Sequence, residues 1–326
     1  MQKLSRRNPP ASILLTVICL LALSLAASAQ SQTNNSGAAQ EKAASQQAAM
    51  MSQLPPGVTD KFVTVYGAKI HYVEAGSGPA VILLHGLGGD VSNWFATIGP
   101  LSQKYRVIVP DQVGFGRSDK PMINYRVGTL VDFLDGLYKE LKIERASLVG
   151  NSLGGWTAAA FALAHPEKVD RLALVDAAGF ALTGDINPRA LNGLSPSTLE
   201  GAKQLLHQIF YNKQVFGSDA AAGLMLTRRM TAGDGYTIQR FIDSVVNGED
   251  MLDKTASAIK QPTLIIWGRE DLLTPLALGE RFKKEIKGSE LLIIEKCGHV
   301  PQLEKPAEFN AALMKFLGGD VTSKKN

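Results

Sequence analysis

The chain reads as an α/β protein: an eight-stranded, mostly parallel sheet flanked by helices, with an inserted α-helical lid. Three observations predict this. Short apolar runs rich in β-branched residues recur after Val58, helical stretches separate several of them, and one long interval between two runs has no strand pattern. Strands covered on both faces read as continuous apolar runs, and strands alternating with helices imply right-handed crossovers and a parallel sheet.

The bulk composition agrees. With 45% hydrophobic and 20% charged residues in 326, the chain is neither collagen-like, coiled-coil nor wholly disordered. Two cysteines cannot build a disulfide framework or a Cys-rich zinc site. The formal charge of +4 hints at an acidic partner, but its location matters more than its size.

In chain order, the first element is a leader over residues 1–29. Lys3, Arg6 and Arg7 precede an uncharged apolar run from Ile13 to Ala27, followed by Ala27-Ser28-Ala29. A basic start, an apolar middle and a small-x-small site describe a secretory signal peptide cut after Ala29, so the expected location is secreted or periplasmic. The rival is an uncleaved membrane anchor, since about 18 apolar residues can just span a bilayer. Removing the leader leaves 31 basic against 30 acidic residues, and Cys297 as the single cysteine. Nucleic acid is therefore not an expected partner. Residues 30–57, rich in Gln, Ala, Ser and Asn, read as a disordered linker.

The folded domain is expected over 58–318, with a short tail at 319–326. Phe62–Tyr66 and Ile70–Glu74 form a hairpin turning at Gly67-Ala68. Val81–Leu84, Val107–Val109, Ala146–Val149, Leu172–Val175, Thr263–Trp267 and Leu291–Ile294 supply the other six strands. Helices are expected at Val127–Leu141 and Leu153–Ala164, the second stopped by Pro166. The strandless interval, about 180–260, carries a capping box at Ser197-Thr198-Leu199-Glu200 and an apolar face of Leu199, Ala202, Leu205, Leu206 and Ile209. Ile238, Phe241, Ile242, Val245 and Val246 repeat that spacing. A helical insertion there reads as a lid over the sheet's C-terminal edge, where open α/β sheets bind ligands; the alternative is a packing subdomain.

The chemistry centres on Gly150-Asn151-Ser152-Leu153-Gly154, a G-x-S-x-G between the strand ASLV and the helix LGGWTAAAFALA. Strand, sharp turn and helix are what a nucleophile elbow needs, although a serine at that place can also serve as a helix N-cap. A serine hydroxyl needs a base. Of five histidines, His71, His165 and His207 lie on elements and read as structural, and His85 opens a glycine turn. His299, in Cys297-Gly298-His299 past the last strand, is the best base. Asp271, after the strand TLIIW, is the best carboxylate to orient it, with Asp176 after LALV as a second candidate. Glu270 should point elsewhere. The loop His85-Gly86-Leu87-Gly88-Gly89 resembles a glycine-rich oxyanion loop, and the backbone N–H groups of Leu87 and Leu153 are the expected oxyanion hole.

Taken together, HGLGG, DQVGFGRSDKP, GNSLGGW, WGREDLLTP and CGHVPQLEKP, in that order, resemble the α/β-hydrolase superfamily over about Val58 to Leu317. The resemblance implies Ser152, Asp271 and His299 as catalytic residues and no cofactor or metal. Asp111 and the GFGRSD turn look like the family's structural loop. Serine as the nucleophile separates the chain from relatives that attack with Asp. The elbow and helical lid also resemble carbon–carbon hydrolases of aromatic ring-fission products, but Gly89-Asp90 and Val300 depart from their longer Gly-Pro loop and their aromatic residue after the histidine. The leading expectation is a serine hydrolase cleaving small or medium apolar carboxylic esters, its partner being a small-molecule ester or related carbonyl compound. The alternatives are a carbon–carbon hydrolase or perhydrolase-like activity, and a non-enzymatic ligand-binding protein. Arg228-Arg229 reads as a solvated basic face that could otherwise meet a carboxylate, and Cys297 as a buried small residue. Stable membrane association is expected only if the leader is retained.

Overall fold

The computed structural model describes residues 54–181 and 191–319. The leader, most of the linker, residues 182–190 of the expected lid and nearly all of the tail lie outside the described residues. No described helix is long and apolar enough to cross a membrane.

Eight strands form one sheet: β1 (Thr59–Val65), β2 (Ala68–Ala75), β3 (Ala80–Leu84), β4 (Arg106–Pro110), β5 (Ala146–Asn151), β6 (Val169–Val175), β7 (Thr263–Gly268) and β8 (Glu290–Ile294). Their spatial order is β1-β2-β4-β3-β5-β6-β7-β8. β1 and β2 pair antiparallel, β2 meets β4 antiparallel, and every other pairing is parallel. The hairpin turns one residue earlier than the sequence predicts. Val65 pairs with Ala68, and Tyr66 (φ 48°) and Gly67 (φ 82°) make the turn. Two left-handed residues match the right-handed strand twist, the geometry of a type I′ turn.

Alternating residues of the central strands feed two separate cores. Ile82, Leu84, Leu148, Leu172, Leu174, Ile265 and Trp267 face one side, against α2 (Val127–Glu140), α3 (Leu153–Ala164) and α8 (Leu276–Glu285). Val81, Leu83, Val149, Ala173, Val175, Leu264 and Ile266 face the other, where α1 (Phe95–Ser102) and α10 (Pro306–Gly318) pack. This period of two, apolar on both faces, is why the strands appear in sequence as continuous apolar runs.

Between β6 and β7 lie α4 (Leu199–Ile209), the short α5 (Lys213–Phe216), α6 (Asp219–Ala232) and α7 (Gly235–Val246). The N-cap of α4 is Thr198, whose side chain accepts from the Gly201 N–H, so the Ser197-to-Glu200 box is not the cap. Glu200 instead accepts from Gln204. Leu199 is exposed, whereas Ala202 and Leu206 join Ala222 of α6 in a small cluster of their own. α7 belongs to the main core: Phe241 stacks on Phe115 at 5.9 Å, and Ile238 and Ile242 are buried with it. The insertion therefore has two apolar clusters, α7 sharing the main core while α4 and α6 form a small one of their own.

Candidate active site

Ser152 sits where β5 ends and α3 begins, at φ 56° and ψ −120°. A non-glycine residue in the left-handed region is strained and is kept there only by its surroundings. The Ser152 N–H donates to Val175 O at 2.9 Å, and its carbonyl accepts from Trp156 and Ala178 at 3.1 Å each. Gly154 lets α3 lie directly on the sheet, because a β-carbon there would overlap the backbone carbonyl of Leu84. The Ser152 side chain makes no cap bond to α3, so the N-cap alternative is not what the turn serves. Its hydroxyl has no hydrogen-bond partner among the described residues.

Asp271 and His299 are paired. His299 Nδ1 lies 2.7 Å from Asp271 Oδ2, and both residues are buried. Asp271 Oδ1 accepts from the N–H groups of Leu273 (2.8 Å) and Thr274 (3.0 Å), and Thr274 Oγ1 donates to Oδ2 at 2.6 Å. Burial pushes the Asp271 carboxyl up, but the charge and hydrogen bond of His299 and the Thr274 donors outweigh it and hold it below the usual carboxylate value. An ionised Asp271 fixes the proton on Nδ1 and leaves Nε2 as the nitrogen that can take one up.

The loop carrying His299 is pinned from three directions. Its N–H donates to Ile209 O at 2.7 Å, Asn151 Nδ2 donates to its carbonyl at 3.0 Å, and Glu304 Oε2 accepts from the Gly298 N–H at 2.6 Å. Glu304 also accepts from the N–H groups of Tyr211 and Asn212, joining this loop to the helical insertion. Glu270 points away from the pair and accepts from the Cys297 N–H at 2.9 Å. Cys297 is buried; burial, then the charge of Glu304, push its thiol far above the ordinary value, an inert setting. Asn151, Thr274 and Glu304 were not singled out from the sequence, although each lies inside or beside a quoted motif.

The glycine loop stands against the elbow: a β-carbon on Gly86 would lie 3.1 Å from Ser152 Cβ. The His85 imidazole holds this loop. Nε2 accepts from the Gln112 N–H at 3.0 Å, so Nδ1 carries the proton, directed to Gly86 O at 2.8 Å. Among the described residues, neither the Leu87 nor the Leu153 N–H has a protein acceptor. Asp111 supports the same region, accepting from Val91 N, Arg117 N and His71 Nδ1 at 2.7–2.8 Å.

Two residues stand apart from their sequence reading. Arg229 is not on a solvated face: it pairs with Asp234 at 3.2 Å and lies over Gly88, where a β-carbon would overlap its guanidinium. Asp176 does not orient His299, since Asp271 does. It is wholly buried beside that pair, and the ligand-capable atoms of Asp176, Asp271 and His299 lie within 4.8 Å of one another. With Nδ1 spent on Asp271, this cluster is an acid–base pair with a second acid behind it rather than an open set of metal ligands.

Comparison with known proteins adds the following. A family model described as the alpha/beta hydrolase fold matches residues 79–195 and 227–306. A 2-hydroxy-6-oxo-6-phenylhexa-2,4-dienoate hydrolase of Comamonas testosteroni is 34% identical over 296 residues, covering 82% of this chain and 99% of its own. Among solved structures, a bacterial membrane phospholipase A superposes with a TM-score of 0.75 at 28% identity, over 94% of this chain and 98% of that one. A meta-cleavage product hydrolase superposes at 0.71 with 34% identity, over 79% and 97%. The break in the family match, residues 196–226, falls in the helical insertion. The chain is a hydrolase and belongs to the α/β-hydrolase fold family.

Proposed function

We propose that the chain is a serine hydrolase that cleaves carboxylic esters of small or medium apolar acyl groups through an acyl-enzyme. The observation that carries this is the conjunction at one sheet edge: a strained Ser152, an Asp271–His299 pair, and the unengaged N–H groups of Leu87 and Leu153. His299 Nε2 takes the proton from Ser152 Oγ as it attacks the carbonyl. The developing oxyanion is held by the two N–H groups, each worth about 3 kcal/mol in the transition state. The imidazolium, stabilised by Asp271, gives its proton to the leaving alcohol. Water then enters, is deprotonated by the same imidazole, and releases the acid. In this reading α4 to α6 cover the site as a lid. The likeness to a phospholipase A over nearly the whole chain supports ester chemistry.

A second reading, carbon–carbon hydrolysis of a dienoate, is favoured by one observation: the Arg229 guanidinium over the glycine loop, a fitting partner for a substrate carboxylate. The relatives named dienoate hydrolases support it. Ser152→Ala is expected to abolish p-nitrophenyl ester turnover, and full activity in that variant would sink both readings. An ester chain-length panel beside a ring-fission product separates them, because the better substrate by kcat/KM identifies the class. Failure of a fluorophosphonate to label folded protein would favour a binding protein instead. We also propose export through the leader, on the pattern of Lys3, Arg6, Arg7 and Ala27-Ser28-Ala29.

A further inference from the structure

We propose that Asp176 is a neutral carboxylic acid that donates its proton to Asp271, and is thereby a positioning residue for the Asp271–His299 pair. This rests on the acid–base reading of that pair given above.

Asp176 directly follows β6 at φ 42°, a left-handed position, with its N–H donated to Ile266 O at 3.0 Å. It is held there by the fold, and its side chain is turned inward rather than to solvent. Oδ1 accepts from the Gly268 N–H at 2.9 Å. Oδ2 is buried and receives no donor among the described residues. Asp271 has four donors: two backbone N–H groups, the Thr274 hydroxyl and the imidazole. Two carboxyls within 4.8 Å of each other in a buried site cannot both be ionised, so the proton goes to the one with fewer donors. That is Asp176: its unpartnered Oδ2 is the oxygen free to carry the proton, and a carboxylate oxygen of Asp271 lies within 4.8 Å of the Asp176 carboxyl. The orphaned oxygen then becomes a satisfied donor.

The charged and titratable groups facing Asp176 agree with this. Asp271 comes from the loop after β7, His299 and Cys297 from the loop after β8, and Glu304 from α9 (Pro301–Glu304). Burial first, then the charge of Asp271, drive the Asp176 carboxyl well above the ordinary carboxylate value, against the Gly268 N–H alone. The proton spreads part of the Asp271 charge away from the imidazole and fixes the plane in which that carboxylate meets Nδ1. A residue with a neutral donor at 176 should therefore serve, and one without a donor should not.

The test compares Asp176→Asn with Asp176→Leu in the whole protein, using two readouts. One is the low-field NMR resonance of the Asp271–His299 Nδ1 proton, which needs no turnover. The other is kcat/KM for p-nitrophenyl acetate against pH. Asn is expected to keep the resonance in place and kcat/KM within about threefold, with the acid limb unmoved. Leu is expected to shift the resonance, lower kcat/KM about tenfold or more, and move the acid limb to higher pH, because losing a donor to a charged group concentrates the Asp271 charge on the imidazole. An acid limb moved down by about one unit in Asn would mark the removal of a negative charge and overturn the proposal. So would a Leu variant indistinguishable from the parent in both readouts. If Leu does not fold, Asp176→Ser against Asp176→Ala makes the same comparison of donor with no donor. Should Ser152→Ala retain activity, the catalytic reading fails while the resonance still decides this one.

Discussion

Gly88 and Arg229 meet so closely that neither can be understood alone. Gly88 has φ +63°, and any side chain on it would stand where the guanidinium lies. Gly88→Ala is thus strained by its backbone and forces Arg229 off the loop, and kcat/KM is expected to fall at least about tenfold. Arg229→Met asks a separate question, because Arg229 is the partner of the buried Asp234, whose carboxyl is pushed up chiefly by burial. A lost charge-assisted hydrogen bond to a substrate carboxylate costs about 1.5–3 kcal/mol. The variant should therefore raise KM roughly tenfold or more for an acidic ring-fission substrate, and leave a neutral ester within about threefold. Equal losses on both would mean that Arg229 only supports the loop. What was legible at this scale followed locality. The Ser152 turn and the Asp271–His299 pairing lie in motifs whose neighbours along the chain are also neighbours in space. Arg229 reaches Gly88 across well over a hundred residues, and the state of Asp176 depends on burial and a like charge, neither of which is written in a spacing.

At the scale of elements, the β1–β2 hairpin is joined to the loop after β4 by a buried histidine as well as by its ladder to β4. His71 is buried on β2, with Nδ1 on Asp111 at 2.7 Å and Nε2 on Asp60, itself paired with Arg117. Burial alone would lower the His71 pKa, but hydrogen bonds and charge from Asp111, and the bond to Asp60, raise it above the usual value. A histidine with a raised folded pKa contributes stability that is full below its unfolded value of about 6.5 and is lost as pH climbs through the folded one. Asp60 and Asp111, both lowered, act oppositely: their contribution is present above about pH 4 and lost in acid. Thermal melts should hold level near pH 5–6.5 and then decline as pH rises, and His71→Gln should flatten that decline while lowering stability at pH 6. A parent protein with no slope above pH 6.5 would refute the assignment. The strands were readable as short apolar runs and α2 by its apolar face, whereas α3, buried on nearly every side, was marked by the elbow before it and Pro166 after it. The cap at Thr198 and the exposure of Leu199 were not, since which turn residue starts a helix depends on how the chain enters it.

For the whole molecule, the distribution of charge carries more than its sum. Residues 1–29 hold three of the basic residues and no acidic one, so the chain beyond them is nearly neutral, with 31 against 30. Several of the described ion pairs lie on the surface, such as Arg145 with Asp170 and Arg269 with Glu295, and such exposed pairs add little to stability. A domain so balanced has little net charge to steer an ionic partner from a distance, and a neutral ester would not feel one. Two outcomes are expected together. Protein recovered from a secreting host should begin at Gln30 by intact mass, in the soluble extracellular or periplasmic fraction. Its kcat/KM for a neutral ester should change by less than about twofold between low salt and 0.5 M salt, where screening removes any surface field. A chain retaining residues 1–29 and pelleting with membranes would instead favour the anchor, and the basic residues would then sit beside the bilayer surface. A steep salt dependence in the cleaved protein would mean that a charged patch acts on the substrate despite the even count, with Arg228 and Arg229 the first residues to neutralise.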